Sequence, residues 1–281
     1  MPRLAQFRDA PQPLPAARRM LRPPMPAAIT FAGVSKRFGA GAPALDRLSL
    51  AIAEGEFLAV VGGSGSGKTT LISLINRLAE PSDGRVLIGE APAPALDPIA
   101  LRRRVGYVFQ EVGLFPHMTV AENIAITPKL IGWDEARRAV RVAELLALVR
   151  LPAHYAARFP HELSGGERQR VGVARALAAK PAIVLMDEPF AALDPPTRDA
   201  LGQDYRRLHE TLGLTTVMIT HDMLEALALA DRIAVLRAGA LVAEGSPKAL
   251  MAHEDPHVRE LMQTPRRLAE RVGALLSGGG R

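Results

Sequence analysis

The stretch VVGGSGSGKTTL at residues 60–71 decides the fold. Residues 62–69 within it fit the pattern G-x-x-x-x-G-K-[ST]. They follow the apolar run FLAVV at 57–61, typical of a strand buried on both faces, and they lead into a predicted helix over Lys68–Leu78. Strand, glycine-rich loop and helix in this order predict an α/β fold with a phosphate-binding loop. A flexible Gly/Ser loop with a chance lysine would lack this context.

The residue types of this loop explain how phosphate would be held. Glycines let backbone N–H groups turn inward without a Cβ clash, and the N-terminus of the helix adds a favourable dipole. Lys68 would reach the β- and γ-phosphates of a nucleotide, and Thr69 would be a ligand of Mg²⁺. The candidate phosphate-binding residues are Gly62, Gly63, Ser64, Gly65, Ser66, Gly67, Lys68, Thr69 and Thr70.

A second candidate element is an apolar run that ends in two carboxylates. The run AIVLM at 182–186 predicts a buried strand, and Asp187 and Glu188 follow it. Asp187 would hold Mg²⁺ through its water shell, and Glu188 would act as general base on the attacking water. An adjacent acidic pair also occurs at ordinary solvated strand ends, but beside a phosphate loop it favours nucleotide hydrolysis.

Strand and helix patterns alternate along the rest of the chain. Strand patterns lie at 29–34, 48–53, 86–88, 105–109, 215–220, 232–236 and 240–244, and helical patterns at 134–149, 165–179, 197–212, 222–230 and 247–275. This alternation predicts a mostly parallel sheet covered by helices on both faces. Residues 111–163 are predicted to be a helical insertion into it.

Charge and composition narrow the classes of function. The chain has 281 residues and a net charge of +6, and residues 1–26 contain five arginines and one aspartate. That proline- and arginine-rich tail lacks periodicity and is predicted to be disordered, so we expect no nucleic-acid partner. The sequence has no cysteine, which excludes disulfides and thiolate chemistry. The sequence contains no run of about 18 apolar residues, so we expect no membrane span.

The segment LSGGERQR at 163–170 lies between the phosphate loop and the acidic strand end. In this order the motifs resemble those of the ATP-binding cassette (ABC) ATPases, over about residues 28–250. Ser164, Gly165 and Gly166 match the signature loop of that family, in which a hydroxyl and two glycine amides at a helix start grip an anion. A serine here is also an ordinary helix N-cap, and the two roles are compatible.

Four further residues match motifs of this family. Gln110 follows the strand pattern VGYVF and resembles the Q-loop glutamine, a ligand of Mg²⁺ and water. Asp194 matches the D-loop, and His221 matches the switch histidine that contacts the γ-phosphate. Phe38 stands where the family places an aromatic residue, more often tyrosine, that stacks on adenine.

The resemblance implies a fold and a division of the chain. The fold is a P-loop NTPase with a RecA-like parallel sheet core, an N-terminal antiparallel β-subdomain and an inserted α-helical subdomain at about 111–163. The cassette would span 27–250, between the tail 1–26 and a C-terminal helical extension with a flexible end at 251–281. The implied cofactors are ATP and Mg²⁺, and the implied catalytic residues are Lys68, Glu188 and His221.

The resemblance also implies that one chain carries half of each active site. Two copies would pair head to tail in a symmetric dimer that holds two ATP molecules. Ser164 of one copy would then close on the γ-phosphate held by Lys68 of the other.

Finer similarity is to bacterial importers of glycine betaine, choline and related osmoprotectants. It is carried by INRL at 75–78, GLFPHMTVAENIA at 113–125, DEPFAALDP at 187–195 and TPRRLAERV at 264–272. The implied partners are a paired ATPase subunit, transmembrane permease subunits and a periplasmic or lipid-anchored substrate-binding protein, with this chain on the cytoplasmic face of the membrane. Many relatives carry a pair of regulatory CBS domains, and the residues after position 250 are too few for them.

Several interpretations stay open from the residues alone. In the family, residues 113–124 face the permease, where Phe115 and Met118 would form an apolar dock; the alternative is ordinary core of the helical insertion. The solute is open as well, since an importer of an amino acid would share these motifs. A soluble ABC ATPase acting on nucleic acid or ribosomes would need a long coiled coil or a second cassette, and LSGGE argues against a small-molecule kinase.

Overall fold

The computed structural model describes residues 27–277, so the predicted disordered tail and the last four residues lie outside it. Its strands are β1 Ala27–Lys36, β2 Leu45–Ala53, β3 Phe57–Val61, β4 Asp83–Ile88, β5 Ala91–Pro92, β6 Val105–Val108, β7 Ile183–Asp187, β8 Thr215–Ile219, β9 Arg232–Arg237 and β10 Ala240–Gly245. Its α-helices are α1 Lys68–Ile75, α2 Pro98–Arg104, α3 Val120–Leu130, α4 Glu135–Leu148, α5 Gly165–Leu177, α6 Pro195–Leu212, α7 Met223–Leu229, α8 Pro247–Met251 and α9 Pro256–Ser277.

The strands form two sheets. The larger has the order β10-β9-β3-β8-β7-β6, in which all neighbours are parallel except the β10–β9 pair. The smaller has the order β2-β1-β4-β5 and is antiparallel throughout. The predicted mostly parallel sheet is confirmed, and an antiparallel sheet stands at the N-terminal end of the described chain.

Strand β3 lies between two hydrophobic clusters. Phe57, Ala59 and Val61 pack into one cluster with residues of α3 to α7. Leu58 and Val60 pack into the other, together with α1 and the antiparallel sheet. Side chains of a strand alternate between its faces, so burial on both faces requires the unbroken apolar run seen at 57–61. The phosphate loop therefore begins from a strand that is fixed on both sides.

Helices α3 and α4 lie within the predicted helical insertion and pack on α5. Thr119 begins α3 with a capping box, in which its hydroxyl accepts from Glu122 N at 3.2 Å and Glu122 Oε2 accepts from Thr119 N at 2.7 Å. Asp134 caps α4 by accepting from Arg137 N at 2.8 Å. The helices predicted at 134–149 and 165–179 are confirmed; the boundary of a helical subdomain at 111 and 163 stays a prediction.

Two helices end where the sequence patterns did not predict it. Helix α1 ends at Ile75, not Leu78, because Arg77 has a φ of 56° and the N–H of Leu78 bonds back to Ser73 O at 2.8 Å. The helix predicted at 247–275 is broken into α8 and α9. Asp255 Oδ1 accepts from the backbone N–H of His257 at 2.8 Å and so starts a new helix, with Pro256 in its first position. Helix α2, capped by Asp97, was not predicted.

Candidate active site

The glycine-rich loop is held closely against its surroundings at both ends. Gly62 has a φ of 153°, and a Cβ on it would lie 2.2 Å from Leu236 O. Gly67 has a φ of 100°, and a Cβ on it would lie 2.3 Å from Ala44 O. A Cβ on Gly65 would meet nothing within 4 Å. Backbone atoms cannot give way as side-chain ends do, so the two outer glycines are required by packing and the middle one by its φ of 73° alone.

Lys68 opens α1 with its ammonium turned back into the loop. Its side chain is buried, and Nζ donates to Gly62 O at 2.8 Å and Gly63 O at 2.9 Å, with a longer contact of 3.4 Å to Ser66 Oγ. Burial lowers the pKa of Lys68, and the negative charges of Glu188 and Asp187 oppose that shift. An anion in the loop would favour the charged form of the lysine and use its least engaged N–H donor.

The two carboxylates lie at the same edge of the parallel sheet as the phosphate loop. Asp187 ends β7, whose neighbour β8 pairs in turn with β3. Burial raises the pKa of Asp187, and the charge of Glu188 raises it further, whereas a hydrogen bond from Tyr107 and the charge of Lys68 lower it. Parallel strands end together at one edge, and that edge is where open α/β sheets bind ligands.

Glu188 and His221 face each other across this edge. Glu188 Oε2 lies 3.1 Å from His221 Nδ1, and the histidine side chain is 63% exposed. Glu188 has a φ of 45°, a left-handed conformation that a non-glycine residue rarely adopts, and its backbone N–H bonds to Ile219 O at 3.0 Å. At this turn the Glu188 carboxylate contacts His221 and lies close enough to Lys68 for their charges to interact.

The signature loop begins α5, on a different part of the molecule. Ser164 Oγ accepts from Glu167 N at 3.3 Å and Glu167 Oε2 accepts from Ser164 N at 2.7 Å, so Ser164 is the N-cap of α5 in a capping box. Ser164 and Gly165 are exposed, and Gly166 is partly exposed. Helix α5 packs on α3, α4, α6 and β6, whereas α1 packs on β4, β7 and β8.

The predicted D-loop lies next to the signature loop of the same chain. Asp194 caps α6 by accepting from Thr197 N at 3.1 Å, and hydrogen bonds from Thr197 lower the pKa of Asp194. A Cβ on Gly166 would lie 2.7 Å from Thr197 Cγ2. The structure thus brings Asp194 and the signature glycines together at one exposed edge.

Gln110 and Phe38 lie on loops beside the site. Gln110 is exposed and follows β6, which pairs with β7 and so places Gln110 near the end of the strand that carries Asp187. Phe38 is 63% exposed, with Lys36 Nζ 4.9 Å from the centroid of its ring. The loop that holds Phe38 closes where Ala44 N bonds to Lys36 O at 2.7 Å, and Ala44 is also the residue that abuts Gly67.

Three residues that the motifs did not indicate hold these loops in place. Tyr107 lies beside Asp187, and the charge of that carboxylate contributes to the raised pKa of the tyrosine, after burial. Arg198 donates to Leu193 O at 3.0 Å and to Asp222 Oδ2 at 3.0 Å, and so ties the D-loop to the residue after His221. Arg175 donates to Val112 O at 2.6 Å and Gly113 O at 2.7 Å. The sequence carried no signal for the two arginines, because three of their four partners here are backbone carbonyls, which every residue type provides.

The donor chemistry of the site fits Mg²⁺ only together with a phosphate. Within the described part of the chain, no three histidine, aspartate or glutamate side chains converge as a ready-made metal site. Mg²⁺ is usually held by one or two carboxylates, substrate phosphates and water, and Asp187, Thr69 and Gln110 supply oxygen donors of this kind. Over residues 27–277, each helix is too short or too polar to cross a bilayer.

Comparisons with known proteins agree with this geometry. A family model described as ABC transporter matches residues 45–191. The choline transport ATP-binding protein OpuBA of Bacillus subtilis (strain 168) is 49% identical over 235 residues, which are 83% of this chain and 62% of OpuBA. OpuCA of the same organism, a glycine betaine/carnitine/choline transport ATP-binding protein, is 52% identical over 218 residues, 78% of this chain and 57% of OpuCA. The chain thus spans about three fifths of the length of these two relatives.

Two further comparisons cover most of the matched protein. The glycine betaine uptake system ATP-binding protein YehX of Escherichia coli (strain K12) is 48% identical over 223 residues, 79% of this chain and 72% of YehX. A dimeric post-hydrolysis structure of the ATP-binding cassette MJ0796, bound to ADP and Pi, is 36% identical with a TM-score of 0.70, and covers 78% of this chain and 98% of that one. The predicted P-loop NTPase fold class is thereby confirmed.

Proposed function

The chain belongs to the ABC transporter family, and from this premise we propose that it is the ATP-hydrolysing subunit of a bacterial importer. We infer that the imported solute is a quaternary amine osmoprotectant such as glycine betaine, choline or proline betaine. The solute class is supported by the names of OpuBA, OpuCA and YehX. An ATPase subunit does not itself contact the solute, so the residues of the site do not bear on that choice.

The observation that carries the ATPase function is the meeting of four groups at one sheet edge. Lys68, Asp187, Glu188 and His221 are linked there by charge and by the 3.1 Å contact between Glu188 and His221. Lys68 and the loop N–H groups would hold the β- and γ-phosphates of ATP. Glu188 would take a proton from a water molecule as its oxygen attacks the γ-phosphorus and the bond to the β-phosphate oxygen breaks, giving ADP and phosphate.

The other site residues would complete this reaction. Thr69, Gln110 and Asp187 would hold Mg²⁺, which when bound neutralises phosphate charge. His221 would contact the γ-phosphate from the side of Glu188, and Phe38 would stack on adenine. The remaining phosphate contacts are assigned to Gly62, Gly63, Ser64, Gly65, Ser66, Gly67 and Thr70 of the loop.

We propose that a second copy, or a similar ATPase subunit, supplies the rest of each site. The signature loop is exposed and carries the geometry of an anion-binding helix start: an N-cap hydroxyl and glycine amides. Head-to-tail pairing would bring Ser164, Gly165, Gly166 and Asp194 of one copy onto the ATP of the other. The dimeric assembly of the neighbour MJ0796 with ADP and Pi supports this arrangement.

We further propose that permease subunits dock beside the segment 113–124, at the cytoplasmic face of the membrane. Phe115 is 40% exposed and lines a groove of about 480 Å³ with Phe109, Arg102 and Arg175. Asn123 is buried and shapes the segment by donating to Phe115 O, Met118 O and Thr119 O at 3.0–3.1 Å. An exposed aromatic on a braced loop favours docking over a core role for Phe115. A periplasmic or lipid-anchored binding protein would select the solute.

Genetic uptake assays test this proposal. A strain lacking the gene should lose uptake of labelled glycine betaine or choline, and the full chain should restore it, whereas Lys68→Ala should restore less than about 1% because the phosphates lose their ammonium partner. Glu188→Gln should bind ATP and accumulate as an ATP-bound dimer. Uptake restored by the Lys68 variant would contradict the ATPase role; loss of amino-acid uptake alone would contradict the solute class.

A further inference from the structure

The hydroxyl oxygen of Ser164 accepts a hydrogen bond within its own helix, and its O–H remains available to donate to a ligand. Its oxygen accepts from Glu167 N at 3.3 Å, and a serine hydroxyl keeps one O–H donor while its oxygen accepts. The direction of that O–H depends on the position of the signature loop. Glu167 holds this loop, because its Oε2 accepts from Ser164 N at 2.7 Å. Whatever fixes the Glu167 carboxylate therefore fixes Ser164.

Tyr155 fixes that carboxylate from outside helix α5. Its hydroxyl donates to Glu167 Oε1 at 2.7 Å, so each oxygen of the carboxylate has a donor. This hydrogen bond lowers the pKa of Glu167 and raises the pKa of Tyr155. The carboxylate is thereby kept ionised, and both of its oxygens remain acceptors for these two hydrogen bonds.

Tyr155 is itself braced by the helical insertion. It lies in the 3₁₀ turn Ala153–Ala157, and the guanidinium of Arg158 lies 3.9 Å from the centroid of its ring. Arg158 O accepts from Val120 N at 2.8 Å, at the first residue of α3. A chain of contacts thus joins the start of α3 to the signature serine.

We propose that Tyr155 is a positioning residue of the signature loop, whose hydroxyl orients Glu167 and thereby aims Ser164 at the γ-phosphate of ATP held by a second copy. The inference rests on the proposed function. Tyr155→Phe keeps the ring and its contact with Arg158 and removes the hydroxyl alone. In the dimer, each chain contributes its signature loop to one active site and its phosphate loop to the other. Tyr155→Phe should impair only the site to which the substituted chain contributes its signature loop.

Complementation between two defective chains separates these sites. Lys68→Ala has a dead phosphate loop and an intact signature loop, and Ser164→Arg has the reverse. Each variant alone should be inactive, and their mixture should hydrolyse ATP at the one live site of the mixed dimer. Tyr155→Phe is then placed in the Lys68→Ala chain, where it borders the live site, or in the Ser164→Arg chain, where its signature loop serves no live site.

We expect Tyr155→Phe to change ATP hydrolysis by the mixture only when it is placed in the Lys68→Ala chain. In the Lys68→Ala chain, Tyr155→Phe should lower the kcat for ATP hydrolysis about fivefold to tenfold and leave the KM for ATP within about twofold, because a hydrogen bond to a charged group is lost beside the donor that meets the transition-state charge. In the Ser164→Arg chain the change should be less than about twofold. If Tyr155 acts through Glu167, adding Tyr155→Phe to a Lys68→Ala chain that also carries Glu167→Ala should have no further effect.

Two results would overturn the inference. Equal changes in both arms would show a general structural role for Tyr155, and no change in either arm would show that its hydroxyl does not position the loop. A separate outcome is that the mixture of Lys68→Ala and Ser164→Arg chains, both with Tyr155 intact, does not hydrolyse ATP. That result would contradict head-to-tail pairing, and with it both the proposed function and this inference.

Discussion

The phosphate loop and the signature loop are two candidate anion sites that share glycine amides at a helix start but are built in opposite ways. The phosphate loop leaves a strand buried on both faces, packs its outer glycines against backbone oxygens and buries its lysine. The signature loop lies on the surface, begins a helix through a capping box, and has a glycine whose Cβ would meet only the methyl end of Thr197.

The difference indicates which loop acts alone. A loop whose two ends are packed against backbone and whose lysine is buried holds its donors in place before an anion arrives, whereas an exposed helix start gains little from an anion in water and more when a partner surface excludes the solvent. We therefore expect substitutions at the tightly packed glycines and the lysine of the phosphate loop to abolish ATP binding, and substitutions in the signature loop to spare binding and impair hydrolysis.

The largest effect is expected at Gly67. Gly67→Ala combines a φ of 100° with a Cβ 2.3 Å from Ala44 O, so the loop must shift. ATP affinity, measured by titration, should fall more than about 100-fold, and the free energy of unfolding should drop by several kcal/mol, on the order of a severe core defect. Gly65→Ala is the matched control: with open space around it, it should cost about 1–2 kcal/mol of backbone strain and keep ATP binding. Equal loss in both would refute the packing argument.

An intermediate effect is expected at Ser164. Ser164→Ala removes the hydroxyl at the start of α5, which should cost about 1 kcal/mol of stability through the lost cap. Under dilute conditions that keep the chain monomeric, ATP affinity should stay within about twofold of the unmodified chain. ATPase activity should fall about tenfold or more, because the transition-state charge loses a donor. A parallel loss of monomer ATP binding would break the contrast between the two loops.

The smallest expected effect is a pH dependence of the free energy of unfolding that comes from His209. His209 is buried under β3 and β8, with Nδ1 3.0 Å from Thr216 Oγ1, and burial lowers the pKa of His209. The unfolded chain therefore binds a proton that the folded chain does not, and stability should fall as pH drops below about 6.5, by at most about 1.4 kcal/mol per pH unit.

Denaturant melts between pH 7.5 and 5.5 measure this slope. His209→Gln should flatten it, and His161→Gln, at an exposed site, should leave it unchanged. The signature loop should not contribute in this range, since hydrogen bonds lower the pKa of Glu167 and its stabilising effect is lost only at more acidic pH. A slope that persists in His209→Gln would place the acid sensitivity elsewhere in the chain.

Local patterns predicted most elements because each carries its own signal. The run FLAVV predicts β3, and the serine of LSGGE predicts the N-cap of α5. The patterns were wrong where backbone conformation decides. The helix predicted to reach Leu78 ends at Ile75 because Arg77 adopts a left-handed conformation. The helix start at Asp255–Pro256 is a recognisable signal, but the helical periodicity runs through it and predicted one continuous helix.

Contacts between distant segments could not be predicted in the same way. The bonds from Tyr155 to Glu167, from Arg198 to Asp222, and from Arg175 to Gly113 depend on how helices pack. The roles of the individual site residues stay predictions until variants are measured, although the structure brings Lys68, Asp187, Glu188 and His221 to one edge as those roles require.

The sequence by itself determined the family, the phosphate loop and the signature loop, because these depend on residue types at fixed local spacing: glycines that bring backbone amides to an anion, and a serine that begins a helix. The tertiary structure alone decided how each loop is built into the fold: the phosphate loop is packed at both of its ends and buries its lysine, whereas the signature loop is exposed. That outcome depends on the order of strands in the sheet and on the helices that cover it, which no local spacing encodes.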